Sequence, residues 1–125
     1  MKITTGIITP LLQESKEFYT NILGFSIVFE ADWVVIVKAP GSGDNIGFLQ
    51  PNHESQRPIF QPAFGGKGIY LTIEVENVDE YYERLKEKVK IEVEIRDEPW
   101  GDRHFAFYDP NGVGIDIVYN AALQG

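Results

Sequence analysis

The sequence predicts an α+β protein built from two βαβββ modules, and three observations lead to this fold class. Strand-like and helical patterns follow one another in the same order in both halves of the chain. The two patterns are offset by roughly 66 residues, which suggests duplication of one module. Each module offers one helix for four strands, so the helix can cover only one face of its sheet. The other face must therefore meet a partner sheet or enclose a cavity.

The first module is predicted to span residues 1–50. Its opening segment, "MKITTGIIT", is rich in Ile and Thr, which favours a strand. The next segment, "LQESKEFYTNILG", has apolar side chains four residues apart and ends at Gly24, which predicts a helix. Three strands are expected after it, in "FSIVFEA", "WVVIVKA" and "IGFLQ". Residues 51–68 have no periodicity and several Pro and Gly residues, so they are predicted to form a linker loop.

The second module is predicted to span residues 69–120. It begins with "IYLTIEVE", which alternates strictly between apolar and polar residues. In "NVDEYYERLKEKV", Asn77 and Glu80 have the spacing of a capping box. An apolar stripe at helical spacing predicts the helix itself, and its members are Val78, Tyr82, Leu85 and Val89. Three further strands are expected in "IEVEIRD", "RHFAFYD" and "VGIDIVY". Together the two modules are expected to make residues 1–125 a single domain.

Composition and charge limit the classes of function. The chain has 125 residues, 43% of them hydrophobic, and no cysteine, which rules out disulfides, cysteine nucleophiles and zinc-thiolate sites. A formal net charge of −8 argues against nucleic acid and membrane partners and favours cationic ligands. The start lacks the apolar run of a signal peptide, and the longest apolar run, Trp33 to Val37, is too short to cross a bilayer. A cytoplasmic location is expected.

An acidic residue inside an apolar strand marks the end of the second module. The stretch "HFAFYDPNGVGIDIVY" predicts two strands joined by a tight turn at residues 109–112, with Asp116 between Ile115 and Ile117. Three interpretations of Asp116 are open. It is a metal ligand, a charged contact for another ligand, or a surface residue on the solvent side of a sheet.

Taken together, these features resemble the vicinal oxygen chelate superfamily, which includes glyoxalase I, bleomycin resistance proteins, extradiol dioxygenases and fosfomycin resistance enzymes. The resemblance covers almost the whole chain. It rests on "SKEFYTNILGF", on the paired βαβββ pattern, and on "FAFYDPNGVGIDIV" with its Asp-Pro-x-Gly turn. It implies the glyoxalase/bleomycin-resistance-like fold, in which curved mixed sheets form a cup for a ligand or metal. It also implies pairing of modules, usually across a homodimer.

The resemblance further implies which positions would hold a metal. Metalloenzymes of this family use four residues on the cup face, and these correspond here to Thr4, Phe48 or its neighbour Leu49, Tyr70 and Asp116. Only Asp116 is an effective ligand, whereas a catalytic metal generally requires about three N, O or S side-chain ligands. No metal and no cofactor are therefore expected, which counts against the family's metal-dependent reactions.

Several other residues are predicted to line the cup. Alternation along the fifth strand places Tyr70 and Glu74 on the cup face, although Glu74 could equally be an acid facing water. Pairing through a bulged turn brings His104 to the same face as Asp116, where it either contacts a ligand or hydrogen bonds, or forms half of a metal site.

Two residues before the last hairpin have alternative interpretations. Trp100 is either an aromatic at the cup rim that stacks on flat ligands or a plug that packs its loop onto the sheet. Arg103 either pairs with Asp97 or Asp102 or points at a ligand carboxylate. Both residues are included in the predicted ligand-binding cup.

Two classes of function follow. The first is a small-molecule-binding protein similar to bleomycin resistance proteins, which sequester a bulky cationic drug in grooves between two subunits. This chain has a negative net charge, an incomplete set of metal ligands and an aromatic residue at the cup rim, and these features favour the first class. The second is an enzyme, either metal-dependent through His104 and Asp116 or metal-free with His104 as general acid or base. A small-molecule ligand and a homodimer are the expected partners.

Overall fold

A computed structural model of the chain describes residues 1–121. It contains two four-stranded mixed sheets, each with one helix, in the order βαβββ twice. The predicted α+β fold with two modules is confirmed. The chain divides into two compact units, Met1–Gly65 and Gly66–Gly125, which are described separately below as unit 1 and unit 2. Within the described residues, no helix combines the length and apolar character needed to cross a membrane.

Unit 1 contains a sheet in the order β1-β4-β3-β2, in which β1 and β4 are parallel and the other pairs antiparallel. Its helix α1 continues directly into a π-helical turn, and a short 3₁₀ turn lies in the loop after β4. The elements are β1 (Thr4–Ile8), α1 (Leu12–Glu17), the π-helical turn (Phe18–Ile22), β2 (Ser26–Ala31), β3 (Val34–Lys38), β4 (Asn45–Leu49) and the 3₁₀ turn (Pro58–Phe60).

The helical segment of unit 1 ends at the predicted glycine. Gly24 has a φ of 77°, a left-handed conformation that residues with a side chain rarely adopt. Tyr19, in the π-helical turn, is fully buried, and its ring centroid lies 5.5 Å from that of Phe25. The glycine therefore lets the chain reverse from the helix into β2 while both aromatic rings enter the core.

Unit 2 contains a sheet in the order β5-β8-β7-β6, in which β5 and β8 are parallel and the other pairs antiparallel. Its helix, α2, contacts β7 and β8, the two central strands. The elements are β5 (Tyr70–Glu74), α2 (Val78–Leu85), β6 (Val93–Asp97), β7 (Arg103–Tyr108) and β8 (Gly114–Tyr119).

The start of α2 differs from the predicted capping box. The Asn77 side chain donates to the Glu80 carboxylate at 2.6 Å instead of capping a backbone N–H. The two side chains are adjacent, as their spacing predicted. They hydrogen bond to each other, however, and not to the backbone N–H groups at the start of the helix. The apolar stripe is as predicted, because Val78 and Leu85 are 3% and 0% exposed.

The turn between β7 and β8 is held by the carboxylate of Asp109. Its Oδ1 atom accepts hydrogen bonds from the backbone N–H groups of Asn111 at 2.8 Å and Val113 at 2.9 Å. Gly112 has a φ of 83°, and a Cβ atom there would lie 2.8 Å from the carbonyl oxygen of Gly66. Both the backbone conformation and the close approach therefore require glycine, which fixes the register of the last hairpin.

The two faces of the unit 2 sheet differ in chemistry. The face toward α2 carries the buried core residues Phe105, Phe107, Ile115 and Ile117, all at most 1% exposed. The opposite face, called the open face below, carries the alternate residues of the three strands β5, β8 and β7: Tyr70, Thr72, Glu74, Gly114, Asp116, Val118, His104, Ala106 and Tyr108.

Candidate functional site

The centre of the open face is a hydrogen bond between two adjacent strands. Asp116 on β8 pairs with Thr72 of β5 on one side and with Ala106 of β7 on the other. His104 lies two residues before Ala106 on the same face, and its Nδ1 atom is 2.7 Å from Oδ1 of Asp116. The alternation and the bulged turn predicted that these two side chains share a face, and the structure brings them into contact.

The second ring nitrogen of His104 is also bound to a carboxylate. Its Nε2 atom lies 3.0 Å from Oε2 of Glu98, in the loop that follows β6. A protonated ring can donate to both carboxylates at once, whereas a neutral ring can donate to only one of them, so this arrangement favours the imidazolium. Burial lowers the pKa of His104, but the hydrogen bonds and charges of Glu98 and Asp116 outweigh burial and raise the pKa above its ordinary value.

Asp116, His104 and Glu98 form a charged cluster with a fourth side chain, that of Arg96. Nε of Arg96 lies 3.2 Å from Oε1 of Glu98, so positive and negative groups alternate from Arg96 to Asp116. The side chains of Glu98 and His104 are each 12% exposed, and that of Asp116 is 25% exposed. With the ring protonated, the four formal charges sum to zero. Within the described residues, Oδ2 of Asp116 has no hydrogen-bond partner.

Two aromatic side chains and a second acid lie on the same face. Tyr70 on β5 and Tyr108 on β7 both pair with Gly114 of β8, one from each side, and are 70% and 59% exposed. Glu74, at the other end of β5, is also exposed. The open face therefore combines exposed aromatic surface with acidic groups.

Trp100 lies in the loop between β6 and β7. Its Nε1 atom donates to Asp102 at 2.8 Å, and Asn120 donates to the other oxygen of Asp102 at 2.8 Å. These two hydrogen bonds lower the pKa of Asp102. The indole remains 66% exposed, which fits an aromatic at a rim and not a plug packed onto the sheet.

Arg103 is on the face opposite to the predicted one. Its guanidinium donates to both carboxylate oxygens of Asp79 in α2, at 2.7 and 3.1 Å, and to Asp97 at 3.3 Å. These contacts raise the pKa of Arg103 and lower that of Asp79. Arg103 alternates with the buried Phe105, so it belongs to the helix side. Of its two interpretations, pairing with a neighbouring acid holds, and its place in the cup was wrong.

In unit 1, the structure corrects a second predicted position. Phe48 is fully buried, with its ring centroid 5.1 Å from that of Tyr19, and so faces the helix side of the sheet. Leu49, the alternative at this position, lies on the opposite face together with Thr4, which is exposed. Neighbouring residues of a strand point to opposite faces. The assignment of the cup position of β4 to Phe48 was therefore wrong by one residue, and Leu49 is the residue on that face.

The residues at the family's metal positions do not fit a metal. Thr4 offers a hydroxyl, Leu49 offers no donor atom and Tyr70 offers a phenol, so only Asp116 supplies a carboxylate. His104 cannot complete a site with Asp116 and Glu98, because its ring lies between the two carboxylates and uses both nitrogens to reach them. Within residues 1–121, no three His, Cys, Asp or Glu side chains are grouped so that they could hold a metal ion.

The other histidine, His53, is part of a loop contact. Its ring stacks on Trp33, with centroids 4.7 Å apart and planes 13° from parallel. Its Nδ1 atom lies 2.8 Å from the hydroxyl of Ser55. These contacts hold the loop after β4 to the turn between β2 and β3, which is a structural role.

Two residues of the site were not among the predicted site residues. The alternation that placed His104 and Ala106 on the face of Asp116 also placed Tyr108 there, although Tyr108 was not assigned to the cup. Glu98 had no comparable signal, because it lies in a loop, where periodicity does not predict the direction of a side chain. Glu98 precedes His104 by six residues, and that separation alone does not indicate contact.

Comparisons with known proteins agree with this architecture. The family model for the Glyoxalase/Bleomycin resistance protein/Dioxygenase superfamily matches residues 3–117. No curated protein matches the sequence. A lactoylglutathione lyase from Agrobacterium tumefaciens has a similar structure, with a TM-score of 0.78 and 18% sequence identity over 100% of this chain and 96% of that chain.

Two further solved structures are similar over nearly their whole length. A member of the same superfamily from Sphaerobacter thermophilus has a TM-score of 0.74 and 27% identity, covering 96% of this chain and 97% of that chain. TnmS3, an antibiotic-binding protein from Streptomyces sp. CB03234, has a TM-score of 0.75 and 21% identity, covering 97% and 96%. With the family model matching most of its length, this chain belongs to the glyoxalase/bleomycin resistance protein/dioxygenase superfamily.

Proposed function

We propose that this protein binds a small cationic aromatic compound on the open face of unit 2, without a metal ion and without catalysing a reaction on it. The observation that carries the proposal is the carboxylate of Asp116, which is partly exposed and has one oxygen free of hydrogen bonds within the described residues. A partly buried carboxylate interacts with a cation more strongly than a carboxylate in water does.

The composition of the open face supports a ligand that is both cationic and aromatic. Glu74 adds a second negative charge, and the exposed rings of Tyr70 and Tyr108 offer aromatic surface. Aromatic faces attract cations as well as other rings. TnmS3, which has a similar fold, is an antibiotic-binding protein, and this supports a small-molecule-binding role for the present chain.

An enzymatic role for His104 is less well supported. A general acid or base must exchange a proton with a substrate, which requires a ring nitrogen within reach of that substrate. Both nitrogens of His104 are hydrogen bonded to protein carboxylates, and the side chain is only 12% exposed. We therefore assign His104 the role of holding Asp116 in position.

The proposal is tested with a matched pair of ligands that differ in charge. Tryptamine carries an indole ring and an ammonium group, and indole-3-propionate carries the same ring and a carboxylate. We expect tryptamine to bind more tightly in NMR titrations, with an affinity that falls as salt rises. Asp116→Asn is expected to weaken tryptamine binding by about 1–3 kcal/mol, the range for losing a charged hydrogen-bond partner.

Asp97→Asn is the matched control, because it makes the same change of charge on the helix side of the same sheet. It should leave the affinity for tryptamine unchanged. Tighter binding of indole-3-propionate, or equal losses in the two variants, would contradict a role for Asp116. One tightly held metal ion per purified chain, lost in Asp116→Ala, would instead support the enzyme.

A further inference from the structure

The open face of unit 2 contains a second feature, which the charged cluster does not use. Gly114 is the first residue of β8, with Tyr70 directly beside it on β5 and Tyr108 directly beside it on β7. All three residues point to the open face. The two exposed tyrosines are therefore separated by a strand position that has no side chain.

Backbone conformation does not explain this glycine. Gly114 is absent from the positions with positive φ, so a residue with a side chain could adopt its conformation. Space explains it better, since a Cβ atom at this position would lie 3.3 Å from the Cβ atom of Tyr70. Glycine in a strand packs nothing and often marks a place where a ligand approaches closely.

The gap between the two tyrosines is close to the width that one flat ring requires. Neighbouring strands lie about 4.8 Å apart, so the backbones at Tyr70 and Tyr108 are separated by roughly 10 Å. A ring held between two others requires about 7 Å between the outer rings, because stacked carbon atoms approach to about 3.5 Å. Small tilts of the two tyrosine rings toward a bound ligand would close the difference of about 3 Å. Within the described residues, neither tyrosine ring contacts another aromatic ring.

We propose that Tyr70, Gly114 and Tyr108 form a slot that takes one flat aromatic ring of the ligand edge-on, with Gly114 as its floor. This inference rests on the proposed function and specifies the ligand further. Asp116 lies two residues along β8 on the same face, roughly 7 Å from Gly114. The slot and the carboxylate together select a flat ring that carries a protonated amine on a linker of two or three bonds.

The slot is tested with ligands matched in charge but not in flatness. Tryptamine and 2-cyclohexylethylamine carry the same aminoethyl group, on a flat ring and on a saturated ring. We expect tryptamine to bind more tightly to the wild-type protein. Tyr70→Ala and Tyr108→Ala should each weaken tryptamine binding by about 2- to 12-fold, the range for losing one aromatic contact. Each change should weaken binding of 2-cyclohexylethylamine by a smaller factor, because a saturated ring gains no stacking.

Two kinds of variant separate stacking from other effects. Tyr70→Phe and Tyr108→Phe keep the rings and should retain the preference for tryptamine over 2-cyclohexylethylamine, whereas Gly114→Val fills the slot and should abolish that preference. Tyr81→Ala removes a tyrosine from α2, outside the slot, and should change nothing. Circular dichroism confirms that each variant is folded.

The outcomes distinguish the slot from the function on which it rests. If both amines bind equally and depend on Asp116, the slot is wrong and the proposed function stands. Loss of binding in the two Phe variants would assign recognition to the hydroxyl groups and overturn the stacking. If the wild type binds none of these compounds, the proposed function fails and the slot fails with it.

Discussion

Nδ1 of His104 lies 2.7 Å from Oδ1 of Asp116, and this hydrogen bond connects the residue that binds the proposed ligand to a histidine whose pKa is raised above its ordinary value. Glu98 holds the other nitrogen of the same ring at 3.0 Å. The charge beside Asp116 therefore depends on the protonation of His104. Stability and ligand affinity should both depend on pH through this one residue, in opposite directions.

The first prediction concerns stability. The pKa of His104 is raised in the folded state, so the protonated ring stabilises the fold. This contribution is complete below the unfolded pKa of about 6.5 and is lost as pH rises through the higher folded pKa. We expect urea unfolding between about pH 5 and pH 9 to give a larger free energy of unfolding for the wild type than for His104→Gln, with the largest difference at low pH. A difference that stays constant or grows with pH would contradict the imidazolium.

The second prediction concerns the affinity for cations. Deprotonation of His104 removes a positive charge next to Asp116, so tryptamine should bind more tightly as pH rises through the folded pKa of His104. By linkage, bound tryptamine should lower that pKa, which NMR titration of the ring nitrogens measures directly. His104→Gln should show a flat dependence of affinity on pH. An affinity that falls with rising pH, in a range where tryptamine remains protonated, would contradict the coupling.

The sequence predicted the fold well because the alternation of strands and the helical spacing of apolar residues are both clear in this chain. Alternation in "IYLTIEVE" and "RHFAFYD" fixed the faces of β5 and β7, and the Asp-Pro-Asn-Gly turn fixed the last hairpin. That His104 and Asp116 share a face followed from the same alternation, whereas their hydrogen bond is a finding of the structure. Sequence alone could not predict Glu98, because a loop residue has no periodicity to define its direction.

Arg103 and Phe48 show a second limit of sequence reasoning. Arg103 alternates with Phe105, which could have placed it on the helix side, but it was included in the cup as a contact for a ligand carboxylate. Phe48 depended on a register that is uncertain by one residue, and an error of one residue reverses the face of a strand.

The third prediction separates the two faces of β4. Phe48 is fully buried against Tyr19, so Phe48→Ala should lower the free energy of unfolding by about 3–5 kcal/mol, as for other buried phenylalanines. Leu49→Ala, on the opposite face and only partly buried, should cost clearly less. Chemical denaturation measures both. Equal losses would contradict the assignment of Phe48 to the core.

The fourth prediction concerns Arg103. Its ion pairs with Asp79 and Asp97 are exposed, so Arg103→Ala should lower stability only slightly, and the difference should shrink as salt rises. Binding of tryptamine and of indole-3-propionate should not change, because the side chain is on the helix side. Loss of binding of indole-3-propionate in this variant would restore Arg103 as an anion contact.

The fifth prediction is a homodimer that associates through β2 of unit 1. The run "WVVIV" suggested an exposed apolar stripe, but Val34, Val35 and Val37 are at most 5% exposed and belong to the core of unit 1. Exposed apolar surface lies instead on β2, an edge strand of that sheet, where Val28 and Phe29 are each 52% exposed. Edge strands and exposed apolar side chains favour association with a partner.

We expect sedimentation equilibrium at micromolar concentration to give twice the chain mass of 14.2 kDa. Phe29→Lys should shift the equilibrium toward the monomer, because it places a charge on the edge strand that we expect to be buried between subunits. Ile59→Lys is the matched control, since it adds the same charge at a side chain that is 77% exposed in the loop after β4. A wild-type protein that sediments as a monomer would contradict the dimer, and a dimer that survives Phe29→Lys would place its interface elsewhere.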